Sequence, residues 1–307
     1  MQKILLITSS SKPQWLESYS EVAQGLLRFA SSVSTEDSCM YITTFDRLIF
    51  DISNRAISVW DSYNEMDIAE FDVIHMRNID KSMHALDYAK ATGSYAMHHG
   101  ARVIEEVDQA CAFGKLSQMM LFALEGLPVP HTIACWDNTI LESEAKKLSM
   151  PIVVKANNAM KGADNHMVES ESELHRVLHG SEQRYVAQEF IPNDGDYRVL
   201  FIGDYKNPLL FKRLSVEGSH LNNTSKGAQA VRCEVEDFDR GALELSVRAA
   251  QTVQRKVTGV DIMQNSQDKT WVLLEANTNP ALSMGVFLEE KVGMYRSMLA
   301  NLTEKDL

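Results

Sequence analysis

Three oxygen-bearing side chains near the carboxyl end, Asp261, Glu275 and Asn277, have the types and spacing to hold a hard cation. Asp261 lies in one strand-like run, 258–264, and Glu275 closes the next, 270–276, with a polar turn at 265–269 between them. Residues two apart on a strand share a face, so Glu275 and Asn277 project together. A hairpin centred near residue 267 pairs positions whose numbers add to about 534, which sets Asp261 opposite residue 273 or a near neighbour and puts the odd-numbered positions on one face. Two carboxylates and an amide suit Mg²⁺, which takes a few protein oxygens and completes its shell with water and phosphate. Spacing alone also admits a solvated strand face with ordinary charges. Lys155 ends the apolar run 151–155 before a loop, where an ammonium can reach a phosphate as a point charge or simply be solvated. Arg198 opens a hairpin two residues after Asp196; it can stabilise charge on a transferring phosphoryl group with Asp196 orienting it, or form an exposed cross-strand ion pair.

These residues need a scaffold, and the chain reads as alternating strands and helices. The runs 3–8, 40–44, 71–76 and 102–105 alternate with helices at about 14–30 and 81–92, the latter ending at Gly93. This predicts a small parallel α/β lobe over the first hundred residues. It has no G-x-G-x-x-G, so nothing supports a dinucleotide role, and the adjacent His98 and His99 read as a surface or connector pair rather than a metal site. From Gly114 an amphipathic helix runs to Glu125, stopped by Gly126, Pro128 and Pro130. A helix at about 138–148, the strand 151–155, a capped helix from Ser170 and a strand at 185–191 follow. Then come a hairpin of 197–202 and 208–214 and a helix over 243–257.

With 307 residues, the chain is long enough for two domains or one composite enzyme. Its 42 acidic against 30 basic side chains, net charge −12, disfavour a general nucleic-acid binder while leaving room for a local basic pocket. Hydrophobic residues at 45% exclude a disordered chain. Four cysteines without C-x-x-C spacing suggest neither a disulfide framework nor a zinc site, so a reducing cytoplasm is the expectation. Neither a signal peptide nor a membrane span is expected.

Taken in order, six segments resemble the ATP-grasp pattern, and within it the RimK-like carboxylate–amine ligase branch, over about 108–300. They are Gly114-Lys115, Val153-Val154-Lys155, Gln188-Glu189-Phe190-Ile191, Asp196-Tyr197-Arg198 with Gly203-Asp204, Thr258-Gly259-Val260-Asp261 and Leu274-Glu275-Ala276-Asn277. The resemblance implies an α/β (α+β ATP-grasp) fold. A Rossmann-like α/β lobe at 1–107 precedes an N-subdomain at 108–185 and a C-subdomain at 186–307, with ATP between the two subdomains. It implies that Lys115 and Lys155 hold the nucleotide phosphates, that Gln188, Glu189, Phe190 and Ile191 embrace adenine, and that Asp196 belongs to the nucleotide site. By the same resemblance Arg198 lies near the acyl phosphate with Arg213 as a second basic residue, and Asn222 lies on the loop near the transferred phosphate. Asp261, Glu275 and Asn277 become the ligands of magnesium, two ions, with Mn²⁺ as an alternative. The implied reaction phosphorylates a substrate carboxylate from ATP and then couples it to an amine of an amino acid or peptide.

The chain departs from that pattern in its phosphate loop, 156–164, which has a single glycine where several would let backbone N–H groups turn onto phosphates; Lys161 is the candidate to compensate. Asn279-Pro280-Ala281 also stands where the branch often ends its motif in glycine. Three other readings stay open: a nucleotide sensor without turnover, an adaptor with a vestigial site, and a ligase that macrocyclises a precursor peptide. Oligomeric state is left open.

Overall fold

The computed structural model describes residues 1–9, 15–17, 20–54, 56–79, 82–105, 114–157, 164–214 and 229–302. Lys161, Asn222 and most of the glycine-poor loop lie outside them. The first lobe is built on β1 (Gln2–Thr8), whose Ile4, Leu5, Leu6 and Ile7 are all buried. An unbroken apolar strand of this kind must be covered on both faces, as parallel strands are. Its neighbours follow from that. α1 (Glu21–Val33) leads to β2 (Ser38–Thr44), β3 (Leu48–Ile52), β4 (Ile57–Asp61) and β5 (Met66–Asp67), then β6 (Val73–Arg77), α2 (Met83–His98) and β7 (Arg102–Ile104). The parallel sheet has the order β2-β1-β6-β7.

The expected boundaries shift for local reasons. α1 starts at residue 21 because the Ser20 hydroxyl accepts the Ala23 N–H and caps it. α2 runs through Gly93 to an exposed His98–His99 end. A side chain at Gly93 would press on the Met76 methyl, so this glycine serves packing rather than termination. The antiparallel sheet β3-β4-β5 was not anticipated, since its strands are short and only half buried.

A second sheet, ordered β10-β9-β11-β8, belongs to the next subdomain. Its elements are α3 (Lys115–Leu124), β8 (Thr132–Ala134), α4 (Asn138–Ala145), β9 (Ile152–Ala156), β10 (Asn165–Val168), α5 (Glu171–Leu178) and β11 (Tyr185–Glu189). β11 pairs with both β8 and β9, so its residues through Glu189 belong to this sheet, past the boundary expected at 185. The third unit holds β12 (Asp196–Ile202), β13 (Asp204–Arg213), β14 (Ala230–Arg232), α6 (Arg240–Thr252), β15 (Val257–Gln264), β16 (Trp271–Asn277) and α7 (Leu288–Ala300). The helix expected to reach residue 257 ends at Thr252, and Val257 opens β15.

The five-stranded sheet β14-β13-β12-β15-β16 is sandwiched. Val199, Phe201, Leu210 and Val260 pack with α6 and α3 on one face. Leu200, Ile202 and Phe211 share the other core with Tyr295 of α7, Phe29 of α1 and Ile4 and Leu6 of β1. One continuous core therefore joins the first lobe to the third unit, which fixes their relative position. Among the described residues no helix is long and apolar enough to cross a membrane.

Candidate nucleotide and metal site

A row of charges crosses four adjacent strands of the five-stranded sheet. Arg213 on β13 lies directly opposite Asp196 on β12, Arg198 opposite Asp261 on β15, and Asp261 opposite Glu275 on β16. The hairpin β15–β16 does not keep a single register. Near its turn Ile262 faces Leu273, but Asp261 faces Glu275, so Leu274 is an extra, bulged residue. Without the bulge Glu275 would fall opposite Val260 and point to the other side of the sheet; with it, the side chain is re-aimed onto the face of Asp261. The shared face inferred from the sequence is present, but the bulge produces it, not the simple turn arithmetic.

Asn277 Nδ2 lies 2.9 Å from Glu275 Oε1 and 3.3 Å from Asp261 Oδ2, so the three side chains converge. A half-turn of the amide exchanges its nitrogen for its oxygen. Among the described residues no three His, Cys, Asp or Glu side chains gather as a metal cluster. The set here, two carboxylates and an amide, consists of hard oxygen donors that leave a cation room for phosphate and water, which fits magnesium.

Asp261 is a heavily engaged anion. Arg198 grips it through both arms, Nε to Oδ1 at 2.7 Å and Nη2 to Oδ2 at 2.6 Å, and Arg213 Nη2 adds 2.9 Å to Oδ2. Burial pushes this carboxyl up, but the two guanidinium groups outweigh it and hold Asp261 below the usual carboxylate range. Asp196 was expected to orient Arg198; it accepts instead from Arg213 Nε at 2.6 Å. Burial raises the Asp196 carboxyl against the pull of Arg213.

Opposite this face stand the two lysines. Lys155, on β9, and Lys115, the first residue of α3, are both half-buried. Desolvation lowers each ammonium, the Glu275 charge opposes that shift in both, and Lys115 depresses Lys155 further. Two like charges and one carboxylate thus lie within electrostatic reach of one another. Their geometry is pinned by backbone: Lys115 N–H donates to the Asn157 carbonyl and Leu116 N–H to the Asn157 side chain, tying α3 to the end of β9. In the segment 188–191, Gln188 is 3% exposed and donates to Thr132 Oγ1, while the Glu189 carboxylate accepts the His131 N–H. Both side chains are spent on holding β8 to β11. Phe190 is half-buried and Ile191 is buried at the end of this segment.

Several positioning residues escaped the sequence reading. Gln118 on α3 donates to the Ala276 carbonyl at 2.9 Å and accepts its N–H at 3.0 Å, clamping the residue between Glu275 and Asn277. A helical spacing of three from Lys115 was its one sequence signal. Gly259 lets Arg198 lie across β15: a Cβ there would sit 3.4 Å from Arg198 Cδ and 3.3 Å from Pro280 Cβ. Gly195 has φ +124°, and a Cβ would strike the Arg213 carbonyl oxygen, so the approach to Asp196 demands glycine. Arg77 of the first lobe donates through Nη2 to Asn279 Oδ1 and to the Pro280 carbonyl, both at 2.6 Å, steadying the segment that follows β16.

Known proteins share parts of this sequence and its fold. The family described as the RimK-like ATP-grasp domain matches residues 112–299. A protein of Xanthomonas oryzae pv. oryzae named "Probable alpha-L-glutamate ligase" is 30% identical over 177 residues, covering 55% of this chain and 57% of that one. The chain thus matches little more than half the length of such relatives. Among solved structures, the ATP-grasp ligase PsnB complexed with minimal precursor, Mg and ADP superposes with a TM-score of 0.66 at 16% identity, covering 97% of both chains. The macrocyclase MdnC bound with precursor peptide MdnA from Microcystis aeruginosa gives 0.67 at 11% identity, over 98% of this chain and all of that one. At such identities the likeness concerns the fold.

Proposed function

Because this chain belongs to the RimK-like ATP-grasp family, we propose that it is an ATP-dependent carboxylate–amine ligase acting on an amino acid or peptide. The observation that carries this reading is that Glu275, one of the convergent set Asp261, Glu275 and Asn277, lies within electrostatic reach of both the Lys115 and the Lys155 ammonium groups. A substrate carboxylate oxygen takes the γ-phosphoryl group and ADP leaves; the amine then attacks the acyl carbon, phosphate departs and the amine loses a proton. Such chemistry asks a protein for positioning and charge neutralisation rather than for a nucleophile of its own.

Lys115 and Lys155 hold the phosphates, and the segment 188–191 borders the adenine. Arg198, with Arg213 behind it, faces the oxygens of the transferring group. Asp261, Glu275 and Asn277 would hold magnesium, which would supply neutralisation of the phosphate charge. The names of the relatives and the precursor peptides bound by structural neighbours support an amino-acid or peptide acceptor.

The test is an ADP-release screen over amino acids and acidic peptides, with mass spectrometry for products formed by loss of water. Glu275→Ala is expected to abolish ADP release while leaving the fold intact. Unchanged release in that variant rejects the metal assignment. Thermal stabilisation by ADP and Mg²⁺ with no ADP formed from any carboxylate and amine favours the nucleotide sensor instead.

A further inference from the structure

β16 ends at Asn277, which pairs with Gly259 as the last rung of its ladder. Element ends fray first, so the aim of the Asn277 amide depends on what holds the residues that follow. Residues 278–287 form no regular element before α7. Toward their far end, Lys291 of α7 donates through Nζ to the Met284 carbonyl at 2.9 Å. Gly25 of α1 leaves room for the Ser283 carbonyl oxygen, which a Cβ there would meet at 3.1 Å. The near end is held by β6. Arg77 closes that strand and donates through Nη2 to Asn279 Oδ1 and to the Pro280 carbonyl, each at 2.6 Å. The next residue, Asn78, accepts from Asn279 Nδ2 at 3.1 Å, so the first lobe holds both ends of the Asn279 amide. β6 is a firm support, since Val73 through Met76 are buried between β1 and β7. This grip reaches the charged row. Pro280 and Arg198 close on one point of β15: a Cβ on Gly259 would lie 3.3 Å from Pro280 Cβ and 3.4 Å from Arg198 Cδ and Nε. On the other side of Asn279, a single residue separates it from Asn277.

We propose that Arg77 is a positioning residue of the ligase: from the first lobe it fixes Asn279 and Pro280, and through them the aim of Asn277 and the seat of Arg198. The proposal rests on the ligase reading above and goes beyond it. It makes the first lobe part of the machinery that handles the cation and the transferring phosphoryl group. A guanidinium suits the task, because its planar fork gives charge-assisted bonds in fixed directions, which a flexible ammonium does not. Lys115 and Lys155 stand on other elements, α3 and β9. Loss of Arg77 therefore disturbs the metal side and spares the grip on the nucleotide.

The experiment compares wild type, Arg77→Met and Asn279→Ala by thermal shift, first with ADP in EDTA and then with ADP and excess Mg²⁺. Asn279 is exposed, so its replacement tests the link without touching the core. ADP in EDTA is expected to stabilise all three proteins alike, and the further shift brought by Mg²⁺ is expected to fall in both variants. With a substrate from the screen, kcat for ADP release should fall about tenfold in each, with the KM for ATP unchanged. The double variant should lose no more than either single one, because both changes cut one link; a loss of roughly a hundredfold marks two independent effects. That additive loss, or a Mg²⁺ increment that survives intact in either variant, overturns the proposal and leaves the ligase reading standing. An ADP shift that falls as far as the Mg²⁺ increment also overturns it, since that marks a general loosening of the fold. A wild type that ADP and Mg²⁺ fail to stabilise overturns the ligase reading, and the proposal with it.

Discussion

Arg198 and Asp261 face each other across β12 and β15 and are joined by two parallel hydrogen bonds, with Arg213 closing on the same carboxylate. The carboxylate best placed for a cation is therefore already neutralised by guanidinium groups when no ligand is bound. A cation and Arg198 compete for its oxygens, and a nucleotide phosphate offers Arg198 an alternative partner. The row is poised to exchange partners rather than to be assembled from nothing.

Replacing Arg198 by Met should separate two effects. Free Mg²⁺ should stabilise the variant more than wild type in the absence of nucleotide, because a competitor for Asp261 is gone. ADP release should fall by about 10²-fold, the scale of losing one charge-stabilising donor. Magnesium titration followed by melting temperature reads the first effect. A weaker magnesium response than wild type would show that Arg198 supports the cation site instead of opposing it.

Asp261→Asn should be costly to the fold. It leaves Arg198 and Arg213, the latter 3% exposed, around a neutral amide. Breaking a buried ion pair on one side costs about 3–5 kcal/mol. Denaturant unfolding should show a loss of this order, with Asp196 as the remaining partner of Arg213. A loss within about 0.5 kcal/mol, the scale of an ordinary surface change, would mean that water compensates the two cations.

The fold was legible in proportion to how local its causes are. The buried run of β1, the helix capped by Ser170 and the shared side of Glu275 and Asn277 follow from residue type and period. The bulge at Leu274 does not, because an extra residue in a ladder carries no side-chain signature; the register error it corrects would have pointed Glu275 away from the site. Gln118 was invisible for another reason: its partner is the backbone of Ala276, 158 residues away. Asp196 was assigned to the wrong arginine, since Arg198 lies two residues along the same strand while Arg213 lies directly across from it on the next. The antiparallel sheet β3-β4-β5 escaped because short, half-exposed strands lack a clean alternation.

Gln118→Leu keeps the volume of the clamp and removes both hydrogen bonds to Ala276. The Ala276 N–H and carbonyl then lose their partners, at about 1–3 kcal/mol each where water cannot reach them. The variant should fold with reduced stability, and its response to ADP with Mg²⁺ should weaken, because the residues flanking Ala276 are Glu275 and Asn277. A thermal shift with ADP and Mg²⁺ equal to that of wild type would confine the clamp to a structural role.

Gly259→Ala tests the approach of Arg198 to β15. The added methyl meets Arg198 Cδ and Nε at 3.4 Å and Pro280 Cβ at 3.3 Å, so the arginine must give way by a few tenths of an ångström. The expected outcome is a folded protein whose ADP release falls by about tenfold or more, since small displacements of a positioning group carry large rate penalties. Unaltered kinetics would show that Arg198 has slack in that direction.

Lys291 makes a prediction about stability and pH that needs no substrate. Burial, reinforced by the charge of Arg198 and opposed by Glu290, lowers its ammonium from an ordinary lysine's 10.5 to about 8. A depressed lysine binds its proton less well in the folded chain than in the unfolded one. Below about pH 8 both states are protonated and the fold carries the whole penalty of a buried charge, about 3 kcal/mol. Between about pH 8 and 10.5 the unfolded chain holds the extra proton, so this penalty shrinks as pH rises. Lys291→Met, with no charge to bury, should accordingly be more stable than wild type at pH 7, and its advantage should narrow by pH 10. Denaturant melts of the two proteins at both pH values measure the difference directly. A constant difference would place the Lys291 proton outside that window, whereas a narrowing one shows that the fold retains a buried, destabilising cation at this position.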